Sequence, residues 1–174
     1  STESKTKFHE TFYKKLNSPW DEMHKAYTKF IQNEIAPYFE EDFIYQTFPT
    51  FRVHLPDDQA IHQWHYDSDP KHMHPQWEIN IQIAITDMFN SSATWIESVP
   101  GLRDFQPMDI EYGEYVIFDG SRCMHGNKIN EENKTRLSFD FRVMPIDKYV
   151  HEGRNSVTSG RKFVVGDYYR LFKK

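Results

Sequence analysis

A single cysteine, Cys123, stands in the 174 residues. No intramolecular disulfide can form, and no zinc site built on several thiolates is available. Positive charge is not in excess either: 21 Lys and Arg against 26 Asp and Glu give a formal charge of −5. The basic residues form no stripe, so a nucleic-acid partner is not expected. No apolar run approaches the roughly 20 residues that span a bilayer, and no signal-peptide core follows Ser1. A membrane role is therefore not expected, and a reducing, cytoplasmic setting is. No linker, repeat or low-complexity segment divides the sequence, which reads as a single domain over 1–174. Nothing in it points to an oligomeric state.

What is present is globular. Hydrophobic residues make up 38% and aromatics 16% of the chain, enough for a substantial core. Residues 1–17 carry Phe8, Phe12 and Leu16 at roughly helical spacing and read as an arm or short helix. A stronger helix is expected from Ser18, which can cap it, with Pro19 in the first turn and Asp21 and Glu22 complementing the dipole. Trp20, Met23, Tyr27, Phe30, Ile31 and Ile35 then share one face, and Pro37 ends the helix. Residues 1–40 thus read as helical support.

From Phe43 the period becomes two. Strands are expected at 51–55, 77–86, 93–98, 114–118 and 136–143, with turns at Pro100-Gly101, Tyr112-Gly113 and Asp119-Gly120. This makes 43–145 a mainly β core of jelly-roll type, with 146–174 as a C-terminal extension. The polar alternates are Arg52 and His54, Asn80 and Gln82, and Arg136, Ser138, Asp140 and Arg142. They could face water, or converge in a barrel mouth if the apolar faces pack on the helix.

The chemistry centres on Trp64-His65-Tyr66-Asp67. In extended backbone, His65 and Asp67 point the same way. Two His and one carboxylate on one face suit non-haem Fe(II) and leave positions open. His125, before Gly126, can supply the second imidazole. Arg136, with Ser138 on the same strand face, offers a fork for a carboxylate.

The order His65-x-Asp67, His125, Arg136-x-Ser138 resembles the Fe(II)/2-oxoglutarate-dependent oxygenases. The stretch INIQIAITDMFNSSATWIESVP (79–100) resembles their phytanoyl-CoA hydroxylase-like branch. The tail SGRKFVVGDYY is similar to the segment after the core in streptomycin-biosynthesis oxygenase-like proteins. The likeness covers residues 45–145 well and the ends poorly.

It implies a double-stranded β-helix, cupin-like, with N-terminal supporting helices. It also implies a dioxygenase that hydroxylates a small molecule using Fe(II), 2-oxoglutarate and O2, with release of succinate and CO2. His65, Asp67 and His125 would hold the metal, and Arg136 and Ser138, with Asn80 and Gln82, the cosubstrate. Arg52, Trp64 and Arg142 suggest aromatic and cationic walls for a polar or anionic substrate. Because Asp67 is present, no ligand position is vacated for halide, and halogenation is not expected.

Two alternatives stay open. His72-Met73-His74 with Glu78 resembles the first metal motif of the cupins, although it lies between Pro70 and Pro75, where a central strand is disfavoured. A non-catalytic jelly-roll module, with Arg52, Asn80 and Arg142 holding an anion or sugar, is the other.

Overall fold

A computed structural model describes residues 6–16, 22–60, 63–151 and 153–174. Two helices lead in, α1 (Lys7–Leu16) and α2 (Glu22–Phe30). Where the sequence predicts one helix running to Ile35, the backbone widens into a π-helix at Ile31–Ile35. It then tightens into a 3-10 turn at Ala36–Tyr38 that carries Pro37. With this change of pitch Ile31 and Ile35 are both buried against the sheet. The predicted cap residues Ser18 and Pro19, and Trp20 and Asp21, lie outside the described residues.

The strands are β1 (Phe43–Gln46), β2 (Thr50–His54), β3 (Ile79–Ala84), β4 (Thr94–Ile96) and β5 (Gln106–Pro107). They continue with β6 (Tyr115–Phe118), β7 (His125–Asn127), β8 (Arg136–Pro145) and β9 (Tyr169–Phe172). They form a six-stranded antiparallel sheet in the order β6-β3-β8-β1-β9, with β2 also on β8, and a three-stranded sheet β5-β4-β7. The architecture is thus mainly β, as the alternation predicts.

Strand β8 is the spine. One edge pairs with β3 over Ala84↔Ser138, Gln82↔Asp140 and Asn80↔Arg142. The other pairs first with β2, over His54↔Arg136 and Arg52↔Ser138, and then with β1 from Tyr45↔Val143. Side chains directly opposite in a sheet share a face. This register therefore puts Arg136, Ser138, Asp140, Arg142, Asn80, Gln82, Arg52 and His54 together.

The opposite face carries Ile81, Phe141 and Val143. They are buried with Tyr27, Ile31, Ile35, Phe43 and Tyr45, so the α2 region covers it. Helix α1 adds Phe12, whose ring lies 4.9 Å from Phe51 and 5.1 Å from Phe139. With its apolar side closed by helices, the sheet turns its polar side inward. Of the two fates open to these alternates, convergence is the one observed: Asn80, Gln82, Arg136, Ser138, Asp140 and Arg142 are all buried.

The stretch beyond 145, expected as an extension, returns to the main sheet. Strand β9 pairs with β1 from Phe43↔Phe172 to Gln46↔Tyr169. A second small core, Ile44, Met144, Phe163, Tyr168 and Tyr169, anchors it. Four residues carry too little alternation to signal a strand, the more so because Arg170 and Leu171 both face outward.

Candidate metal centre

His65 lies in irregular backbone rather than in a regular strand. Reciprocal bonds tie it to His125: His65 N donates to His125 O at 3.0 Å, and His125 N to His65 O at 2.8 Å. Two residues on, Asp67 N donates to Gly120 O at 2.8 Å, and Ser68 Oγ to Ser121 O at 2.7 Å. The chain from 65 to 68 is thus stitched onto the turn after β6. His125 itself is fixed in β7, opposite Ile96 of β4.

The result is a converging triad. One ligand atom each from His65, Asp67 and His125 lies within 4.8 Å of the others. Among the described residues this is the one such His/Cys/Asp/Glu group of three or more. Asp67 Oδ1 is 3.4 Å from His65 Nε2 and 3.7 Å from His125 Nε2. The far ring nitrogens are engaged, with His65 Nδ1 bonded to Gln63 O at 2.9 Å and His125 Nδ1 to Cys123 O at 3.0 Å. Carbonyls can only accept, so both Nδ1 atoms carry the proton and both Nε2 lone pairs face inward. Burial lowers the basicity of His125, outweighing the pull of Asp67, and this keeps a neutral, ligating imidazole.

Asp67 is divided between two tasks. Its Oδ2 accepts from Arg142 Nη2 at 2.8 Å, Arg142 Nε at 3.0 Å and Asn80 Nδ2 at 2.8 Å, while Oδ1 faces the imidazoles. Burial alone would raise its carboxyl. Arg142 overcomes that and holds it well below the usual carboxylate range. Asn80 is kept close by Gly120, since a Cβ there would come within 2.8 Å of the Asn80 amide. Two neutral imidazole nitrogens and one bare carboxylate oxygen, each oriented from behind, fit a divalent ion of the Fe(II) type.

Arg136 lies on the wall of a small cavity that His65 and His125 also line, and Ser138 is bonded to it. Arg136 is buried; its Nε donates to Ser92 O at 3.1 Å and its Nη1 to Ser138 Oγ at 2.8 Å. His65, His125, Asn80, Gln82, Thr94, Asn127 and Arg52 share that cavity with it. The Asn80 Oδ1 and Gln82 Oε1 atoms are buried with no hydrogen-bond partner. Unpaired buried acceptors on a cavity wall suit a site that receives something. The space is about 30 Å³, room for a water molecule.

The three residues assigned to substrate fall in different places. Arg142 is turned onto Asp67 and, through Nη1, onto Asp140 Oδ2 at 3.1 Å, so it braces the Asp67 carboxylate. The sequence suggests it as a substrate wall, and no local pattern there shows its pairing with Asp67. Arg52 pairs with Asp140 at 2.5 Å and lines both this cavity and a larger one beside it. Trp64 lines neither. Its ring packs 4.4 Å from Phe105 and against Gly126, where a Cβ would meet it at 3.0 Å.

The His72, His74 and Glu78 set does not converge. His72 Nδ1 bonds Asp69 at 2.9 Å, whereas His74 Nδ1 bonds Glu78 at 2.7 Å, and Glu78 also accepts from the Tyr169 hydroxyl. Turns around Pro70 and Pro75 point the two imidazoles at different carboxylates, and this overturns the cupin-type alternative. Two further supports carry no local signal in the sequence. Glu97 accepts from Met124 N at 2.7 Å and Arg103 N at 2.9 Å, fixing the backbone beside His125. Tyr169 of β9 holds Glu78 beneath Arg142.

No protein-family model matches the chain. It is 32% identical over 169 residues to the streptomycin biosynthesis protein StrG of Streptomyces griseus, covering 97% of this chain and 77% of that protein. Its fold is similar to that of HygX from Streptomyces hygroscopicus, a structure with nickel and 2-oxoglutarate bound. The TM-score is 0.53 at 12% identity, over 87% of this chain and 75% of HygX. It is also similar to a non-haem monooxygenase, the ThoJ–nickel complex, with TM-score 0.56 and 12% identity. There the likeness covers 80% of this chain, which spans only 60% of the ThoJ chain.

These likenesses show the fold, a mainly β architecture shared with non-haem oxygenases, inside which His65, Asp67 and His125 converge. This chain belongs to the family of the streptomycin biosynthesis protein StrG.

Proposed function

We propose that the protein is a dioxygenase that hydroxylates a small polar or anionic molecule while converting 2-oxoglutarate to succinate and CO2. The observation that carries this is the placement of His65 Nε2, Asp67 Oδ1 and His125 Nε2 around one point, with buried Arg136 on the wall of the cavity that both histidines line and Ser138 bonded to it. Iron with bound 2-oxoglutarate supplies oxygen activation, one atom of O2 leaving in succinate and the other in the product. The chain supplies binding, orientation and exclusion of water.

Arg136 receives the distal carboxylate of 2-oxoglutarate through its guanidinium, and Ser138 adds a hydroxyl. Arg142 and Asn80 fix which Asp67 oxygen faces the metal. The carbonyls of Gln63 and Cys123 hold the two imidazoles in their ligating tautomer. Strands β3 and β8 surround the site with buried side chains and Phe118 of β6 lines its cavity, which keeps bulk water away from the reacting atoms.

The test is anaerobic loading with Fe(II), then 2-oxoglutarate and air, with succinate read by mass spectrometry. One Fe(II) per chain and succinate formation are expected, and His65→Ala, Asp67→Ala and His125→Ala should each abolish both. A wild-type chain that binds no Fe(II) and forms no succinate would leave the non-catalytic binding module as the better reading.

A further inference from the structure

Beside the metal centre lies a second, larger cavity of about 400 Å³, which the chemistry above does not use. It occupies the notch where the edge of β8 passes from β2 to β1. The register leaves that edge after Thr50↔Asp140 and resumes at Tyr45↔Val143, and the loop at 47–49 bulges outward between. Helix α1 closes one side, the loop at 156–161 another, and Tyr168 the floor.

The ionisable groups exposed on this wall are basic, and the carboxylates that pair with its arginines, Asp140, Asp67 and Asp167, stand behind it. Arg52, Arg142, Arg161, His9 and His74 line it, and no Asp or Glu is among the described lining residues. Hydroxyls come from Tyr13, Thr50, Ser156, Thr158, Ser159 and Tyr168. Arg161 is set in place by the Phe48 ring, 4.6 Å from its guanidinium carbon, and by Asp167 at 3.2 Å. His9 belongs to the same wall: it is 4% exposed, its Nδ1 lies 2.8 Å from the Thr6 hydroxyl, and its ring also bonds the Phe51 backbone. A basic, hydroxyl-lined wall suits an oxygen-rich ligand.

We infer that this cavity anchors the substrate, and that the substrate is a polyhydroxylated small molecule bearing a phosphate or carboxylate. The inference rests on the oxygenase reading for the word substrate; the ligand class rests on the wall alone. The cavity adjoins the metal centre through Arg142, which lines it and also donates to Asp67 Oδ2, and through Arg52, which lines both spaces. An anion seated among Arg161, Arg52 and His9 is thus one side chain away from a metal ligand. Hydroxyl partners along 156–159 and Tyr168 would select for an oxygen-rich body over an apolar one.

The test is titration of the full chain, metal-free, with glucose 6-phosphate, glucuronate and glucose, read by calorimetry and by two-dimensional NMR of the histidines. At least one of the two anions should bind ten-fold or more tightly than glucose and shift the His9 signals. Which anion wins tells phosphate from carboxylate. Arg161→Gln and His9→Phe should each weaken the tighter anion ten-fold or more, and Arg161→Lys should recover part of the loss. Equal binding of all three sugars, no binding of any, or full affinity in both variants would overturn the inference. Fe(II) binding and succinate formation are scored separately on the wild-type chain. A chain that loads iron and turns over 2-oxoglutarate but ignores these anions sinks this inference alone. One that binds the anions but no iron sinks the oxygenase reading and leaves the anion site standing.

Discussion

Replacing Arg142 distinguishes a brace for the metal ligand from a wall for the substrate. Its guanidinium gives two bonds to Asp67 Oδ2 and one to Asp140, all in a buried setting. Arg142→Met leaves Asp67, Asp140 and the nearby Glu78 without that cation. Breaking a buried ion pair from one side costs about 3–5 kcal/mol. At roughly 2–4 °C per kcal/mol for a chain of this size, the metal-free protein should melt about 6–20 °C lower. Divalent metal should recover part of the loss, since it supplies positive charge at Asp67 Oδ1. The fall should therefore be larger without metal than with it.

Arg142→Lys keeps the charge but cannot span Asp67 and Asp140 with a fork. Loss of an orienting partner behind a metal ligand typically costs about 10–100-fold in metal affinity, and that is the loss expected. Calorimetric melting with and without Mn(II), and Mn(II) titration by electron paramagnetic resonance, read the two effects. If Arg142→Lys binds metal like the wild type and fails only in substrate KM, the bracing role is wrong and only its place on the larger cavity's wall remains.

Arg136→Lys should raise the apparent KM for 2-oxoglutarate about 30-fold or more, from roughly 2–5 kcal/mol for a buried charge pair with spoiled geometry. Metal binding should change far less, and Ser138→Ala should cost about 1–3 kcal/mol in the same assay. Gly120→Ala forces a Cβ to within 2.8 Å of both Asn80 and Phe118, so unfolding in urea should show about 1–3 kcal/mol of destabilisation. Because Asn80 holds Asp67 Oδ2, metal affinity should fall in that variant as well. Burial would raise the Asp140 carboxyl, but Arg52 and Arg142 outweigh it and hold it below the ordinary carboxylate value. Asp140 therefore binds fewer protons folded than unfolded. Its contribution is complete above its unfolded pKa of about 4 and lost as pH falls through its folded value. Asp140→Asn should flatten the acid side of the stability curve of the metal-free protein, and an unchanged curve would count against the pairing.

The sequence by itself determined the strand alternation, the buried face of α2 and the order His65, Asp67, His125, Arg136, Ser138. These are local quantities: a period of two or of 3.6, and residue types whose chemistry is distinctive. It could not say whether the polar alternates of β2, β3 and β8 face water or one another. That depends on which side of the sheet the helices cover, a matter of tertiary packing. The sequence set Arg136 apart from Arg142 by its place in the motif, but it could not show that Arg142 turns onto Asp67, because both project from the same face of one strand. The pairing Asn80↔Arg142 and the approach of Gly120 place Arg142 behind Asp67, whereas His54↔Arg136 places Arg136 farther down the cavity. The histidines of 72–74 are equivalent in a tripeptide, and only the turns there send one to Asp69 and the other to Glu78. The return of β9 beside β1, with Tyr169 against Glu78, joins residues 91 apart in sequence, and no local pattern encodes such a contact. Local sequence chose the ligands; long-range register decided what stands behind each of them.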